Sequence, residues 1–205
     1  MRKIAILGYG TVGSGVAAVL ENSRKEVARK LGDEVEVAAV LDLRDFPGDP
    51  IQKKIVHDFS AVVSNPEIEV VAEVMGGIHP AYEFVSQALA AGKHVVTSNK
   101  ELVEARGAEL GEIARAHQVS FLFEASVAGG IPILRTINTA MIQEEIYRIT
   151  GILNGTTNYI LELMENAGAS FQEALADAQA KGYAERKPEA DVEGYDASRK
   201  IAILA

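Results

Sequence analysis

The chain has 205 residues, 48% of them hydrophobic and 24% charged, which is the make-up of an ordinary soluble globular protein with room for one large domain or a domain and part of another. Its formal net charge of -9 argues against nucleic acid as a main partner, because phosphate recognition calls for a basic face. The absence of cysteine excludes disulfides, thiolate metal sites and cysteine nucleophiles.

Met1-Arg2-Lys3 followed by Ile4-Ala5-Ile6-Leu7 has the outline of a signal peptide, but Gly8, Gly10 and Gly13 interrupt the apolar run far short of an h-region. No later apolar stretch is long enough to span a bilayer. A cytoplasmic location with no membrane partner is expected.

Strands are predicted at residues 3–7, 34–41, 70–75, 94–97 and 119–123. Most are short, rich in Val and Ile, and nearly continuous in apolarity, as strands covered on both faces are. Helices are predicted between them at 11–31, 58–64, 80–91 and 100–118, with Pro80 suited to a first helical turn and Gly92 to a helix end. This alternation predicts an α/β fold with a doubly wound, mostly parallel sheet of the Rossmann type.

After Gly129-Gly130-Ile131-Pro132 the texture changes. A helix is predicted at 132–141, a strand at 145–153, and helices at 159–167 and 171–181, the last with Ser170 as N-cap. Residues 181–193 are dense in Gly, Pro and charge and read as a loop; helical patterning resumes at Asp196. The last residues, Ile201 to Ala205, fall inside an amphipathic pattern, so a truncated domain is expected.

Gly8-Tyr9-Gly10-Thr11-Val12-Gly13 is a G-x-G-x-x-G run between the first strand and the first helix, the context in which that motif binds a dinucleotide. Gly8 permits the tight turn, Gly10 lets the pyrophosphate approach, Gly13 allows close packing, and the helix N-terminus, from Thr11 and Val12 on, holds the phosphates. Asp42, ending the second strand, suits the adenosine ribose hydroxyls of NAD; Arg44 instead suits the 2′-phosphate of NADP. Both cofactors stay open at this point.

Ligands of such sheets bind beyond the carboxyl ends of the strands. There lie Gly76-Gly77, Thr97-Ser98-Asn99-Lys100, and Glu124 through Gly130. Lys100 suits an anionic substrate group, or it points into solvent behind a capping Asn99. His57, His79, His94 and His117 have no metal-ligand spacing, and no G-x-S-x-G elbow is present, so zinc and hydrolytic chemistry lack support. Near the end, Glu185, Asp191, Asp196 and Lys200 form a second cluster; Asp196 and Lys200 are four apart and share a helix face, which by itself is most often a solvated pair. An alcohol dehydrogenase needs a group to take the hydroxyl proton, and a lysine can serve.

The blocks G-Y-G-T-V-G (8–13), E-V-M-G-G (73–77), T-S-N-K (97–100), F-E-A-S-V-A-G-G-I-P-I (123–133), G-I-L-N-G-T-T-N-Y-I (151–160), K-G-Y-A-E (181–185) and D-V-E-G-Y-D-A-S-R-K (191–200) strongly resemble homoserine dehydrogenases, in order and over nearly the whole chain. The resemblance implies a dinucleotide-binding domain at 1–130 and, at 131–205, the start of a smaller α+β substrate and dimerisation domain. It implies hydride transfer between NAD or NADP and homoserine or aspartate 4-semialdehyde, in the biosynthesis of threonine, methionine and isoleucine. It makes Lys200 the catalytic residue, Glu185, Asp196 and Lys100 substrate-binding, and Gly8, Gly10, Thr11, Val12, Gly13, Asp42, Arg44, Gly76, Gly77, Thr97, Ser98 and Lys100 cofactor-binding. A monovalent cation, Na+ or K+, would sit on Glu124, Val127, Gly129 and Ile131, largely through carbonyls. The full-length protein would be a homodimer acting on a small amino acid. The chain departs from the family at Leu41, where an Arg is common, and at Arg186-Lys187-Pro188, where an acid before the proline is common. The alternatives are a dinucleotide-binding fragment without turnover and another amino-acid dehydrogenase on the same nucleotide fold.

Overall fold

Along β1 (Arg2–Leu7) the side chains alternate between two cores, Ala5 and Leu7 facing one and Ile4 and Ile6 the other. A strand buried on both faces belongs in the middle of a sheet, and β1 is there. The computed structural model, which describes all 205 residues, divides into two compact units, Met1–Ser126 and Val127–Ala205.

In the first unit β1 leads into α1 (Thr11–Asn22) and α2 (Arg24–Leu31), then β2 (Val35–Leu41). A 3-10 turn (Pro50–Lys54), β3 (Ile55–Val56), α3 (Ser60–Val63), β4 (Ile68–Glu73) and α4 (Ala81–Ala90) follow. The unit closes with β5 (His94–Thr97), α5 (Lys100–Ala116) and β6 (Phe121–Leu122). The strands form one parallel sheet in the order β3-β2-β1-β4-β5-β6, so the α/β doubly wound, Rossmann-like architecture is as expected. One face packs Val85 and Leu89 of α4 and Leu102 and Leu110 of α5; the other packs Val16, Ala17 and Leu20 of α1.

The register slips where Ile4 pairs Val37 but Ala5 pairs Ala39, and where Lys3 pairs Ile68 but Ile4 pairs Val70. The extra residues, Ala38 and Glu69, are bulges, and they restore the facing pattern. Without the first, Val37 and Ala39 would share a face; with it they enter opposite cores.

The single helix expected at 11–31 is two. Ser23 leaves helical backbone (φ -104°, ψ 15°), ending α1 and opening α2, which itself ends at left-handed Gly32. The polar pair Asn22-Ser23 competes for backbone hydrogen bonds and stops propagation. The last expected strand, 119–123, shrinks to two residues, and the two-residue β3 has no counterpart among the predicted strands.

The second unit is helical: α6 (Ile133–Arg135) running into a π turn (Thr136–Ala140), then α7 (Gly155–Ala167), α8 (Phe171–Ala180), α9 (Glu189–Val192) and α10 (Tyr195–Leu204). The helix expected at 132–141 is thus short and irregular, and the loop expected at 181–193 contains α9. The strand expected at 145–153 does not form. A strand draws its backbone bonds from a neighbour, and this unit holds no other strand to provide an edge, leaving Tyr147 92% and Ile152 76% exposed. The expected cap at Ser170 is present as a capping box with Glu173. α7 and α8 pack through Ile160, Ala174 and Ala178.

Candidate active site

In the first unit, the glycine loop has three differently shaped positions. Gly8 sits at φ +95°, where a side chain would meet Met75. A Cβ on Gly13 would fall 2.0 Å from the carbonyl oxygen of Gly8, so this helix turn can lie against the strand end only without a side chain. A Cβ on Gly10 would meet nothing within 4 Å: that side of the loop is open. Gly10 opens α1 with no side-chain cap, so the first N–H groups, those of Thr11 and Val12 among them, form an uncapped helix start beside that space. Thr11 and Val12 are exposed there.

Asp42, at the end of β2, is tied to the same loop. Its Oδ2 accepts from the Tyr9 N–H at 2.8 Å, and its Oδ1 accepts from the Arg44 N–H at 2.9 Å. The Arg44 side chain grips both oxygens at 3.0 Å and donates to the Tyr9 carbonyl at 3.2 Å. This fork, with the two backbone donors, holds the Asp42 carboxyl well below the usual carboxylate range. Beside it opens a cavity of about 480 Å³ whose wall includes Gly8, Gly10, Asp42, Arg44, His57 and Met75. Its size and its mix of apolar wall with a few polar groups suit a nucleoside.

At the ends of β4 and β5 lies a network that the motifs alone did not single out. Glu73 is fully buried; its Oε1 accepts from the Met75 N–H at 2.8 Å and its Oε2 from the Thr97 hydroxyl at 2.6 Å. Thr97 Oγ1 in turn accepts from the Asn99 N–H, and the Asn99 amide donates to the Gly77 carbonyl at 2.6 Å. The loop through Gly76 and Gly77, both at positive φ, is thereby tied to the loop through Ser98. The available signal was Glu73 itself, the one acid within the apolar strand predicted at 70–75. Asn99 caps α5, accepting from the Leu102 N–H, and Lys100 is half-buried at the first position of that helix.

Glu124 opens a 3-10 turn reaching Ser126. In the segment beyond, Gly129 sits at φ +58°, the Ile131 N–H donates to the Ala128 carbonyl, and the Ile131 carbonyl accepts from the Ile133 N–H. No group of three or more His, Cys, Asp or Glu side chains is placed to hold a metal. The donors available around Val127 and Gly129 are backbone carbonyls, hard oxygens of the class that suits an alkali cation.

In the second unit five residues converge: Leu153, Asn154, Asp191, Asp196 and Lys200. Lys200 Nζ donates to Asp196 Oδ2 at 2.7 Å and to the Leu153 carbonyl at 2.8 Å. Asp196 is 3% exposed and the Lys200 side chain 18%. The Asn154 amide donates to Asp196 Oδ2 at 2.9 Å and to Asp191 Oδ1 at 2.7 Å. This is not the solvated i,i+4 pair that the spacing alone describes, which would leave both groups in water. Asp191 belongs to the cluster that the sequence points to, whereas Asn154 lies in a quoted sequence block with no assigned role. Glu185 is exposed, and only its backbone carbonyl is engaged, by Gln179. Lys181 lies over the Tyr159 ring and bonds Tyr159 and Asp177, which sets its pKa above the usual lysine value.

Comparison with known proteins bears on both units. A family model described as homoserine dehydrogenase, NAD binding domain, matches residues 8–124, and one described as homoserine dehydrogenase matches 132–205. The chain is 46% identical over 204 residues to a homoserine dehydrogenase of Pseudomonas aeruginosa, covering 99% of this chain and 47% of that protein. It superposes on the crystal structure of a homoserine dehydrogenase from Thiobacillus denitrificans with a TM-score of 0.91 at 41% identity, covering 99% of this chain and 48% of the other. A hyperthermophilic archaeal homoserine dehydrogenase in complex with NADPH matches with a TM-score of 0.85 at 27% identity, over 99% of this chain and 68% of the other. The chain spans about half the length of the curated relatives it matches.

Proposed function

Because the chain belongs to the homoserine dehydrogenase family, we propose that the protein it represents oxidises homoserine to aspartate 4-semialdehyde with NAD or NADP, and catalyses the reverse reduction. The pairing of partly buried Lys200 with buried Asp196 is the observation that carries this reading. Oxidation of a primary alcohol sends hydride from the carbinol carbon to the nicotinamide and the hydroxyl proton to a base. Neutral Lys200 takes that proton, and in reduction the ammonium returns it to the aldehyde oxygen. Asp196 and Leu153 use two of the three N–H bonds of the charged amine, which leaves one for a substrate oxygen. The ammonium of the substrate is taken by carboxylates, Asp196 and Glu185 in this assignment, and Lys100 binds an anionic group.

The first unit supplies the dinucleotide site. Gly8, Gly10 and Gly13 with the Thr11 and Val12 amides would hold the pyrophosphate, and Gly76, Gly77, Thr97 and Ser98 would flank the nicotinamide. When bound, the cofactor supplies the hydride acceptor. Asp42 would take the ribose hydroxyls of NAD, whereas Arg44, were it released from Asp42, would pair with the 2′-phosphate of NADP; the archaeal relative bound to NADPH supports acceptance of the latter. The carbonyls of Glu124, Val127, Gly129 and Ile131 would hold Na+ or K+. We place the enzyme in the cytoplasm, in threonine, methionine and isoleucine synthesis, as a homodimer when full length. No helix is long and apolar enough to cross a membrane.

For these 205 residues by themselves, a second reading as a dinucleotide-binding portion without turnover is favoured by their share, under half, of the relatives' length. One assay separates the readings: reduced nicotinamide is followed by absorbance as homoserine is added at alkaline pH, with NAD and then NADP. Turnover that Lys200→Ala abolishes while dinucleotide binding persists is the expected result. Binding without turnover favours the second reading, and turnover that survives Lys200→Ala removes the role given to the lysine.

A further inference from the structure

We infer that Asn154 is a positioning residue that lowers the proton affinity of Lys200 and aims its amine, an inference that rests on the reading of Lys200 as the proton-transfer group. Lys200 stands 2.7 Å from the Asp196 carboxylate; a carboxylate that close favours the charged form of an amine, whereas a base acts in its neutral form. Something must loosen that hold, and the structure places an uncharged amide on the same oxygen.

The Asn154 side chain is buried and its orientation is determined. Its Oδ1 accepts from the Thr157 N–H at 2.8 Å as the N-cap of α7, and from the Thr157 hydroxyl at 2.9 Å. With the oxygen fixed there, the NH2 must face the two carboxylates, and the flipped amide would set oxygen against oxygen. One N–H reaches Asp196 Oδ2, the atom that also receives Lys200. An acceptor oxygen divided between two donors holds each less firmly, so the ammonium is less favoured. The other N–H reaches Asp191 Oδ1 and keeps that second carboxylate docked on the amide instead of on the amine. Both effects act in one direction. Asn154 also follows Leu153, whose carbonyl takes another Lys200 N–H, so fixing the cap fixes the point at which the amine aims.

The groups that face the amine are few. Asp196 stands on its own helix and Asp191 on α9, which packs against α10; Leu153 and Asn154 contribute only uncharged groups. The other acids of this region, Glu185, Glu189 and Glu193, are exposed.

Two substitutions separate capping from donation, because Ser and Asp both make good N-caps but neither offers an amide. The 205-residue chain is labelled at lysine Cε, the Lys200 resonance is assigned by its loss in Lys200→Arg, and its titration midpoint is followed by NMR. Asn154→Ser is expected to raise the midpoint by about half a pH unit or more, and Asn154→Asp, which adds a third carboxylate, by about one unit or more. A midpoint within about 0.2 units of the parent value in Asn154→Ser, with the Thr157 amide still protected, would overturn the inference. If Asn154→Ser unfolds α7, Asn154→Thr, which keeps an N-cap without adding a charge, decides in its place. Failure of the underlying reading shows separately: retained homoserine turnover in Lys200→Met removes the lysine from the reaction whatever the titration gives.

Discussion

A glycine loop contains positions that fail for different reasons, and here each reason can be assigned. At Gly13 an added methyl collides with the Gly8 carbonyl, so Gly13→Ala is expected to cost about 1–3 kcal/mol of stability, read as a lowered thermal midpoint. At Gly10 the methyl meets open space. Gly10→Ala is therefore expected to keep the parent midpoint while weakening dinucleotide binding about tenfold or more, measured by quenching of reduced-nicotinamide fluorescence. Equal effects of the two substitutions on stability would show that the loop relaxes as a unit. The Asp42–Arg44 fork allows a second test at this scale. A carboxyl whose folded pKa is lowered stabilises the fold above its unfolded value, about 3.9, and loses that contribution as pH falls toward the folded value. The fork is thus intact at neutral pH and weakens only in strong acid. Arg44→Ala removes the largest cause of the lowering, and the Asp42 carboxyl-carbon titration should move up by at least about one unit. An unmoved titration would mean that the Tyr9 and Arg44 amides suffice.

Among the elements, those written in local chemistry were legible and those that depend on a distant partner were not. β1, β5, α5 and α8 carry continuous apolar runs or caps such as Asn99 and Ser170, and the structure has them within a few residues of the expected places. β3 is two residues long and exists only because β2 offers Val40 and Leu41 as partners, which no local pattern announces. The segment at 145–153 has strand-like residues and no partner, so pattern without an edge produced no strand. The site follows the same rule. The glycine loop is a local motif, whereas Glu73 with Thr97, and Asn154 with Asp191 and Asp196, are separated by 24, 37 and 42 positions and meet only after folding. The Ser170–Glu173 capping box lets the local half of this argument be measured. Ser170→Ala should cost about 0.5–2 kcal/mol, seen as a lower denaturant midpoint with an unchanged slope. A loss below about 0.3 kcal/mol would place the stability of α8 in its packing through Ala174 and Ala178 instead.

On the scale of the whole molecule, the chemistry is distributed between two units with different construction. Unit one is a parallel sheet with its glycine loop, the Asp42 fork and the Glu73 network at the carboxyl ends of the strands. Unit two is a helical assembly in which the carbonyl and carboxylate that hold Lys200 both belong to that unit. Sites whose supporting bonds come from different units should be separable by substitution, because mutational effects add when no partner is shared. Gly10→Ala is expected to weaken dinucleotide binding and leave the Lys200 titration midpoint where it is. Lys200→Met is expected to leave dinucleotide affinity within about twofold of the parent, a change of about 0.4 kcal/mol. The double variant should then bind dinucleotide as Gly10→Ala does, to within about 0.5 kcal/mol. A coupling larger than that, measured by isothermal titration on all four proteins, would mean that the cluster around Lys200 and the glycine loop share an energetic connection that their separate bonding networks do not contain.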